Sequence, residues 1–230
     1  MTVQVCVGSE PKSQLQSKMR RAYSVDNVLN AKFKTLDFTG EWADAVGSPE
    51  LRGSWIVVGY IKNGKTSFTM KLCKYLTRFQ HVLYVATEEG LSLSIQAAYL
   101  RNKMKEVAGK FTLIEEESVE ELIDRLKRHK SPNIVVIDTV QWWDLTMKDY
   151  RRLKKEFPNK LFIYVSHTDA NRKDPDGVTA KKILRDANIS WRIEGFKSFP
   201  TGRYGGGEPI VISEQLADAY WGLNKKTDNK

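Results

Sequence analysis

Residues 59–67 read GYIKNGKTS, and the first eight of them match the pattern Gly-x-x-x-x-Gly-Lys-Ser/Thr in full. A short apolar run over residues 54–59 precedes the glycine-rich part. Residues 65–78 follow it with apolar side chains at helical spacing. A buried strand before the motif and a helix after it are the context that this motif requires. The sequence therefore predicts a phosphate-binding loop between a strand and a helix.

The residues of this loop predict ATP and Mg²⁺ as ligands. Backbone N–H groups and the helix N-terminus would face the phosphates. Lys65 would reach the β- and γ-phosphates, and the Thr66 hydroxyl would ligate Mg²⁺. The candidates for nucleotide binding are consecutive: Gly59, Tyr60, Ile61, Lys62, Asn63, Gly64, Lys65, Thr66 and Ser67.

Carboxylates follow two other apolar runs. Asp138 ends the run IVVI at 134–137, and we predict that it holds Mg²⁺ through water. Glu88 and Glu89 follow the run at 82–86, where Glu88 is the candidate to orient or deprotonate the attacking water. Glu89 is interpreted as a cap of the next helix. The alternative that both glutamates are caps stays open.

Apolar runs alternate with helical patterns between residues 54 and 165. Continuous apolar runs are typical of strands buried on both faces, and intervening helices indicate a parallel sheet. From residue 187 onward we interpret the short segments 189–195, 205–213 and 219–222 as strands or turns at a sheet edge. The predicted fold class is α/β, with a mainly parallel sheet flanked by helices and a C-terminal hairpin edge.

Composition narrows the class of protein. The chain has 230 residues, a formal net charge of +9 and a pI near 9.4. No apolar run reaches the roughly 20 residues needed to span a bilayer, and the two cysteines, Cys6 and Cys73, form no CxxC motif of a zinc site. We expect a cytoplasmic protein with no membrane partner. The basic charge fits a nucleic-acid partner, or it only keeps the protein soluble.

Four segments resemble the RecA-like ATPases, especially the branch that contains RadA, DnaB and KaiC. They are GYIKNGKTSF at 59–68, VLYVATEEGLSLSIQAAYLR at 82–101, NIVVIDTVQ at 133–141 and FKSFPTGRYGG at 196–206. The resemblance implies a RecA-like core that hydrolyses ATP with Mg²⁺. It also implies a homo-oligomer, a hexameric ring or a filament, that acts on DNA, with single-stranded DNA favoured. We accordingly predict a basic N-terminal arm over 1–35, an ATPase domain over 36–222 and a disordered tail over 223–230.

Two catalytic roles come from this resemblance alone. His167 follows the run at 161–165 and is the candidate sensor of the γ-phosphate. Arg203 is the candidate arginine finger, which would reach the ATP of a neighbouring subunit. Residues 198–202 look like an insertion between Lys197 and Arg203, which leaves the role of Lys197 open.

The resemblance also places a DNA-contacting loop at residues 169–182. Its candidate phosphate contacts are Arg172, Lys173, Lys181 and Lys182. An ordinary surface loop is the alternative. The paired CxxC motifs of the RadA zinc module do not occur in this sequence. An ATP-switched interaction protein, such as a helicase loader or a KaiC-like regulator, therefore remains the second hypothesis for function.

Overall fold

The protein is described by a computed structural model that covers residues 22–115, 117–169, 171 and 174–224, with the backbone only for 223 and 224. The chain divides into a unit that ends at Phe33 and a second unit from Lys34 onward. In the first, helix α1 (Val25–Leu29) begins after Ser24, whose hydroxyl accepts a hydrogen bond from an N–H of the first turn. The remainder of the predicted arm, residues 1–21, lies outside the described residues.

The second unit contains an eight-stranded sheet. Its strands are β1 (Gly53–Gly59), β2 (Val82–Ala86), β3 (Phe111–Ile114), β4 (Ile134–Asp138), β5 (Leu161–His167), β6 (Ile189–Glu194), β7 (Lys197–Gly202) and β8 (Ile210–Val211). They lie in the order β3-β2-β4-β5-β1-β6-β7-β8. The first six strands in this order, β3 to β6, are parallel to one another. Strand β7 pairs antiparallel with β6, and β8 pairs antiparallel with β7. The predicted fold class is confirmed, including the C-terminal hairpin edge.

Helices cover both faces of this sheet. They are α2 (Glu41–Val46), α3 (Lys65–Leu76), α4 (Leu93–Arg101), a 3-10 turn (Met104–Val107), α5 (Val119–Lys127), α6 (Met147–Glu156), α7 (Val178–Asp186) and α8 (Glu214–Asn224). Helices α2, α3 and α4 pack on the face that carries Trp55 and Val57 of β1. Helices α5, α6 and α7 pack on the opposite face, which carries Ile56 and Val58. Burial on both faces explains why the strands are continuous apolar runs.

Two local predictions near the C-terminus are wrong. Residues 219–222 lie in helix α8, although their aromatic content is typical of strands; Trp221 is held there by a contact with Gly195. Residues 198–202, which look like an insertion in the sequence, form most of β7 and pair with β6. Helix α7 begins at Val178, so Lys181 and Lys182 lie on a helix and not in a loop.

The strand register brings the ends of four strands to one edge of the sheet. Gly59 of β1 pairs with His167 of β5. Asp138 of β4 pairs with Ala86 of β2 and with Val165 of β5. Ligands of open α/β sheets bind at this carboxyl edge. Among the residues that the structure describes, none of the helices is long and apolar enough to cross a membrane.

Candidate nucleotide-binding site

Two glycines of the phosphate-binding loop are required by its shape. Gly64 has φ +96°, a left-handed conformation that favours glycine, and it immediately precedes helix α3. At Gly59 a Cβ atom would lie 2.8 Å from both the Cβ and the carbonyl oxygen of Ile193, so a larger residue would collide with β6. The loop backbone therefore follows a tight path into α3, and the N–H groups at the start of that helix can face a bound anion.

Lys65 is almost fully buried at the start of α3, with 9% of its surface exposed. Its Nζ donates a hydrogen bond to the carbonyl oxygen of Tyr60, 3.2 Å away. Burial lowers the pKa of Lys65, and the negative charges of Asp138 and Glu88 oppose that shift. A phosphate oxygen in the loop would give this buried ammonium a stronger, charged acceptor.

Asp138 ends β4 as a half-buried carboxylate. Burial raises the pKa of Asp138 to about 6; the hydrogen bond that the Tyr84 hydroxyl donates to its Oδ2 opposes this rise, and the negative charge of Glu88 adds to it. A cation beside the carboxylate would offset the cost of burying its charge.

The oxygen donors at this edge fit Mg²⁺. Asp138 supplies a carboxylate, and Thr66, partly exposed in the first turn of α3, supplies a hydroxyl. Within the described residues there is no group of three or more histidine, cysteine or acidic side chains that could enclose a metal. Mg²⁺ is usually held by one or two protein oxygens together with nucleotide phosphates and water, and Thr66 and Asp138 supply oxygens of this kind.

Glu88 lies beside Asp138 but is held differently. The Glu88 N–H donates to the Asp138 carbonyl oxygen at 3.2 Å. His167 Nε2 lies 3.1 Å from Glu88 Oε2, with 21% and 30% of the two side chains exposed. The hydrogen bond from His167 lowers the pKa of Glu88, against the effect of partial burial. Glu88 is thus an ionised carboxylate at the rim of the site.

The neighbouring glutamate has a different partner. Glu89 Oε2 accepts a hydrogen bond from the Ser94 hydroxyl in the first turn of α4. The cap of that helix is Ser92, whose side chain accepts from the Ile95 N–H. Neither glutamate is therefore the residue that caps α4, and Glu89 alone contacts its first turn.

Gln141 is a residue to which the sequence analysis assigned no role. Its Nε2 donates to Ser166 Oγ and to the carbonyl oxygen of Asp176, each at 2.8 Å, and its Oε1 accepts from the His167 N–H at 3.3 Å. The Asp176 N–H in turn donates to the His167 carbonyl oxygen at 2.8 Å. Gln141 therefore ties the end of β5 to the segment before α7. The available signal was its position as the fourth residue of the Asp-Thr-Val-Gln segment, three residues after Asp138.

Comparison with known proteins identifies solved structures with a similar fold. No protein-family model matches the sequence, and no curated protein matches it. The flagellar accessory protein FlaH from Methanocaldococcus jannaschii matches in structure with a TM-score of 0.56 at 15% identity, over 79% of this chain and 96% of FlaH. The KaiC-like protein PH0186 from Pyrococcus horikoshii OT3 matches with a TM-score of 0.51 at 12% identity, over 77% of this chain and 94% of PH0186.

The chain has the RecA-like P-loop fold. This confirms the architecture that the resemblance to the RadA, DnaB and KaiC branch implied. At these identities the likeness concerns the fold. The roles of individual residues in this RecA-like fold depend on the geometry of the site.

The turn between β6 and β7 covers the RecA-like P-loop, which the sequence analysis missed. The Gly195 N–H donates to Asn63 Oδ1 at 3.0 Å. A Cβ atom at Gly64 would meet the ring of Phe196 at 3.1 Å. Trp221 of α8 donates to the Gly195 carbonyl oxygen at 3.0 Å. The C-terminal hairpin and α8 therefore support the phosphate-binding loop from one side.

Arg203 lies at the opposite end of the sheet from the phosphate-binding loop. Its N–H donates to the Asn188 carbonyl oxygen at 3.1 Å, and the Asn188 N–H donates to Ser54 at the start of β1. With a rise of about 3.3 Å per residue, the start of β1 is roughly 17 Å from Gly59. Lys197, by contrast, begins β7 beside Phe196 at the nucleotide edge, with its Nζ 5.8 Å from the ring centroid of Trp221.

The four residues predicted to contact DNA differ in whether the structure describes them and in whether their charge is paired. Arg172 and Lys173 lie outside the described residues. Lys181 Nζ is 3.5 Å from Asp169 Oδ2, so its charge is partly matched within the chain. Lys182 is exposed on α7 and forms no ion pair with the described residues. Of the two described candidates, Lys182 is therefore the one with an unmatched charge.

Proposed function

We propose that the protein binds Mg-ATP at residues 59–67 and hydrolyses it. The observation that carries this proposal is the convergence of Lys65, Asp138 and Glu88 at one sheet edge, where the charges of the two carboxylates oppose the lowering of the lysine pKa by burial. Phosphoryl transfer needs little covalent chemistry from the protein. It needs a cation on the phosphates, a site for magnesium and a carboxylate that positions water, and these three residues meet that need.

Each residue has a defined part in the proposed reaction. Lys65 binds the β- and γ-phosphates and neutralises charge that develops on them. Thr66 and Asp138 would hold Mg²⁺, which when bound neutralises phosphate charge. Glu88 accepts a hydrogen bond from the attacking water and takes its proton, because it is ionised at neutral pH. His167 holds the Glu88 carboxylate in place through the 3.1 Å hydrogen bond.

The proposal includes an assembly of copies that acts on DNA, with single-stranded DNA favoured. Arg203 is too far from the loop of its own chain to contact the same nucleotide, so as an arginine finger it would serve a neighbouring copy in a ring or filament. The net charge of +9 supports a polyanionic partner. In this scheme hydrolysis depends on protein concentration and is stimulated by single-stranded DNA.

An ATP-switched interaction protein is the second candidate function. The hydrogen bonds from Glu88 through His167 to Asp176 connect the nucleotide edge with the surface segment before α7. In this alternative, binding of the γ-phosphate reorders that segment, and hydrolysis does not drive movement along DNA. This alternative needs ATP binding but no response of hydrolysis to DNA.

The test is ATP hydrolysis with and without single-stranded DNA, across a range of protein concentrations, for wild type and for Lys65→Ala. We expect Lys65→Ala to lower kcat by at least about 100-fold, since it removes the cation from the phosphates. Lys74→Ala is the matched control, because Lys74 lies on the same helix but pairs with Glu106 at 2.8 Å. Unchanged hydrolysis in Lys65→Ala would overturn the proposal. Hydrolysis that ignores DNA at every concentration would favour the switch.

A further inference from the structure

Helices α6 and α7 enclose a basic cleft on the sheet face opposite to α3 and α4. Four cations line it, Arg151 and Lys154 from α6 together with Lys182 and Arg185 from α7, against a single acid, Asp186. Each pair is three residues apart, and residues at this spacing share one side of a helix. Two rows of positive charge therefore face each other across what we name the α6–α7 cleft.

The acid in this cleft is already engaged. Asp186 Oδ2 accepts hydrogen bonds from the Tyr150 hydroxyl and from Lys154 Nζ, the latter at 2.6 Å. Arg151, Lys182 and Arg185 are exposed and form no ion pair with other described residues. Three unmatched cations around one cleft repel each other, and this cost falls when an anion binds between them.

The cleft continues to the nucleotide edge of the sheet. Met147 lines both the cleft and a shallow depression that ends at Asp176, whose N–H donates to the His167 carbonyl oxygen. Asp144 and Asp176 line the shallow depression and would repel phosphate. The phosphate contacts therefore belong to the basic α6–α7 cleft itself. A nucleic-acid strand bound there would end close to Asp176, which contacts His167.

We infer that the α6–α7 cleft binds the phosphate backbone of single-stranded DNA through Arg151, Lys182 and Arg185. The inference rests on the DNA-binding part of the proposed function. It locates that binding on helices α6 and α7, whereas the resemblance places it in a loop at residues 169–182. Arginine suits this contact because its planar fork can donate two hydrogen bonds to one phosphate.

The test is the affinity for a fluorescently labelled oligothymidylate, measured by anisotropy at several salt concentrations without nucleotide. The cleft variant Arg151→Gln/Arg185→Gln removes one arginine from each helix. The matched control, Arg78→Gln/Arg101→Gln, removes two exposed arginines from the turn after α3 and the end of α4, on the other side of the sheet. Both variants change the net charge equally, and thermal unfolding checks that both are folded.

We expect the cleft variant to bind about 25-fold more weakly at 0.1 M salt and to lower the slope of log K against log salt by about 1.4, since each phosphate contact on a single strand contributes about 0.7. The control should stay within about threefold of wild type. Equal weakening of both variants, or wild-type affinity in the cleft variant, would overturn the inference. Wild-type protein that hydrolyses ATP but does not bind the oligonucleotide would refute the DNA partner and leave the ATPase standing.

Discussion

The end of β4 and the segment after β2 present carboxylates to the same sheet edge but hold them in opposite ways. Asp138 is half-buried, and loss of solvent around its carboxylate raises its pKa to about 6. Glu88 is partly exposed, and the hydrogen bond from His167 lowers its pKa. The backbone joins the two, since the Glu88 N–H donates to the Asp138 carbonyl oxygen at 3.2 Å. Two adjacent acids are thus given different protonation behaviour by burial and hydrogen bonding.

This difference separates two tasks. A buried carboxylate whose charge is costly gains most from a cation, which suits Asp138 to magnesium. A carboxylate that stays ionised at the rim can accept a proton from water, which suits Glu88 to the role of base. The comparison is informative because each acid can be changed to its amide with little change in shape.

The largest expected effect is on catalysis by Glu88. Glu88→Gln removes the proton acceptor but keeps a side chain that can hydrogen bond, so kcat should fall by about 100-fold or more while ATP still binds. Glu89→Gln is the matched control, because Glu89 contacts Ser94 of α4 and not His167. Single-turnover hydrolysis and nucleotide binding by fluorescence measure the two effects separately. An equal fall of kcat in Glu88→Gln and Glu89→Gln would contradict the assignment of Glu88 alone as the base.

The next effect is on stability, through Asp138. Its pKa is higher in the folded protein than in the unfolded chain, so the folded state binds the proton more tightly, and stability falls as pH rises from about 4 to about 6. A shift of this size costs about 3 kcal/mol above pH 6. Asp138→Asn carries no charge and keeps an oxygen for Tyr84. The pKa of about 6 already includes the attraction of Lys65, so we expect a net gain of about 3 kcal/mol at neutral pH without metal.

Urea unfolding of wild type and Asp138→Asn in chelator measures this gain. Near pH 3 the two proteins should differ little, since Asp138 is then protonated in the folded protein and mostly protonated in the unfolded chain. Mg-ATP should stabilise wild type more than the variant, because only the wild type keeps the carboxylate for the metal. An Asp138→Asn protein that is less stable than wild type at neutral pH would show that the buried charge is not costly.

The same comparison shows what the sequence could predict. Gly59, Asp138 and Glu88 each follow an apolar run, and parallel strands end at one edge, so local patterns were enough to place them together. The turn at Gly195 and Phe196 was missed because its contact with the loop depends on β6 pairing with β1, about 130 residues away in the chain. Periodicity also could not separate the aromatic helix α8 from a strand, since tertiary packing decides between them.

The smallest expected effect concerns His167, which acts through Glu88. His167→Ala removes the hydrogen bond that is the main cause of the lowered pKa of Glu88, so that pKa should rise. The acid limb of the kcat profile should then move to higher pH, with a loss of about tenfold on that limb. His167→Gln restores an N–H donor and should return the limb toward its wild-type position. A merely structural role for His167 would lower activity equally at every pH and would show no rescue by glutamine.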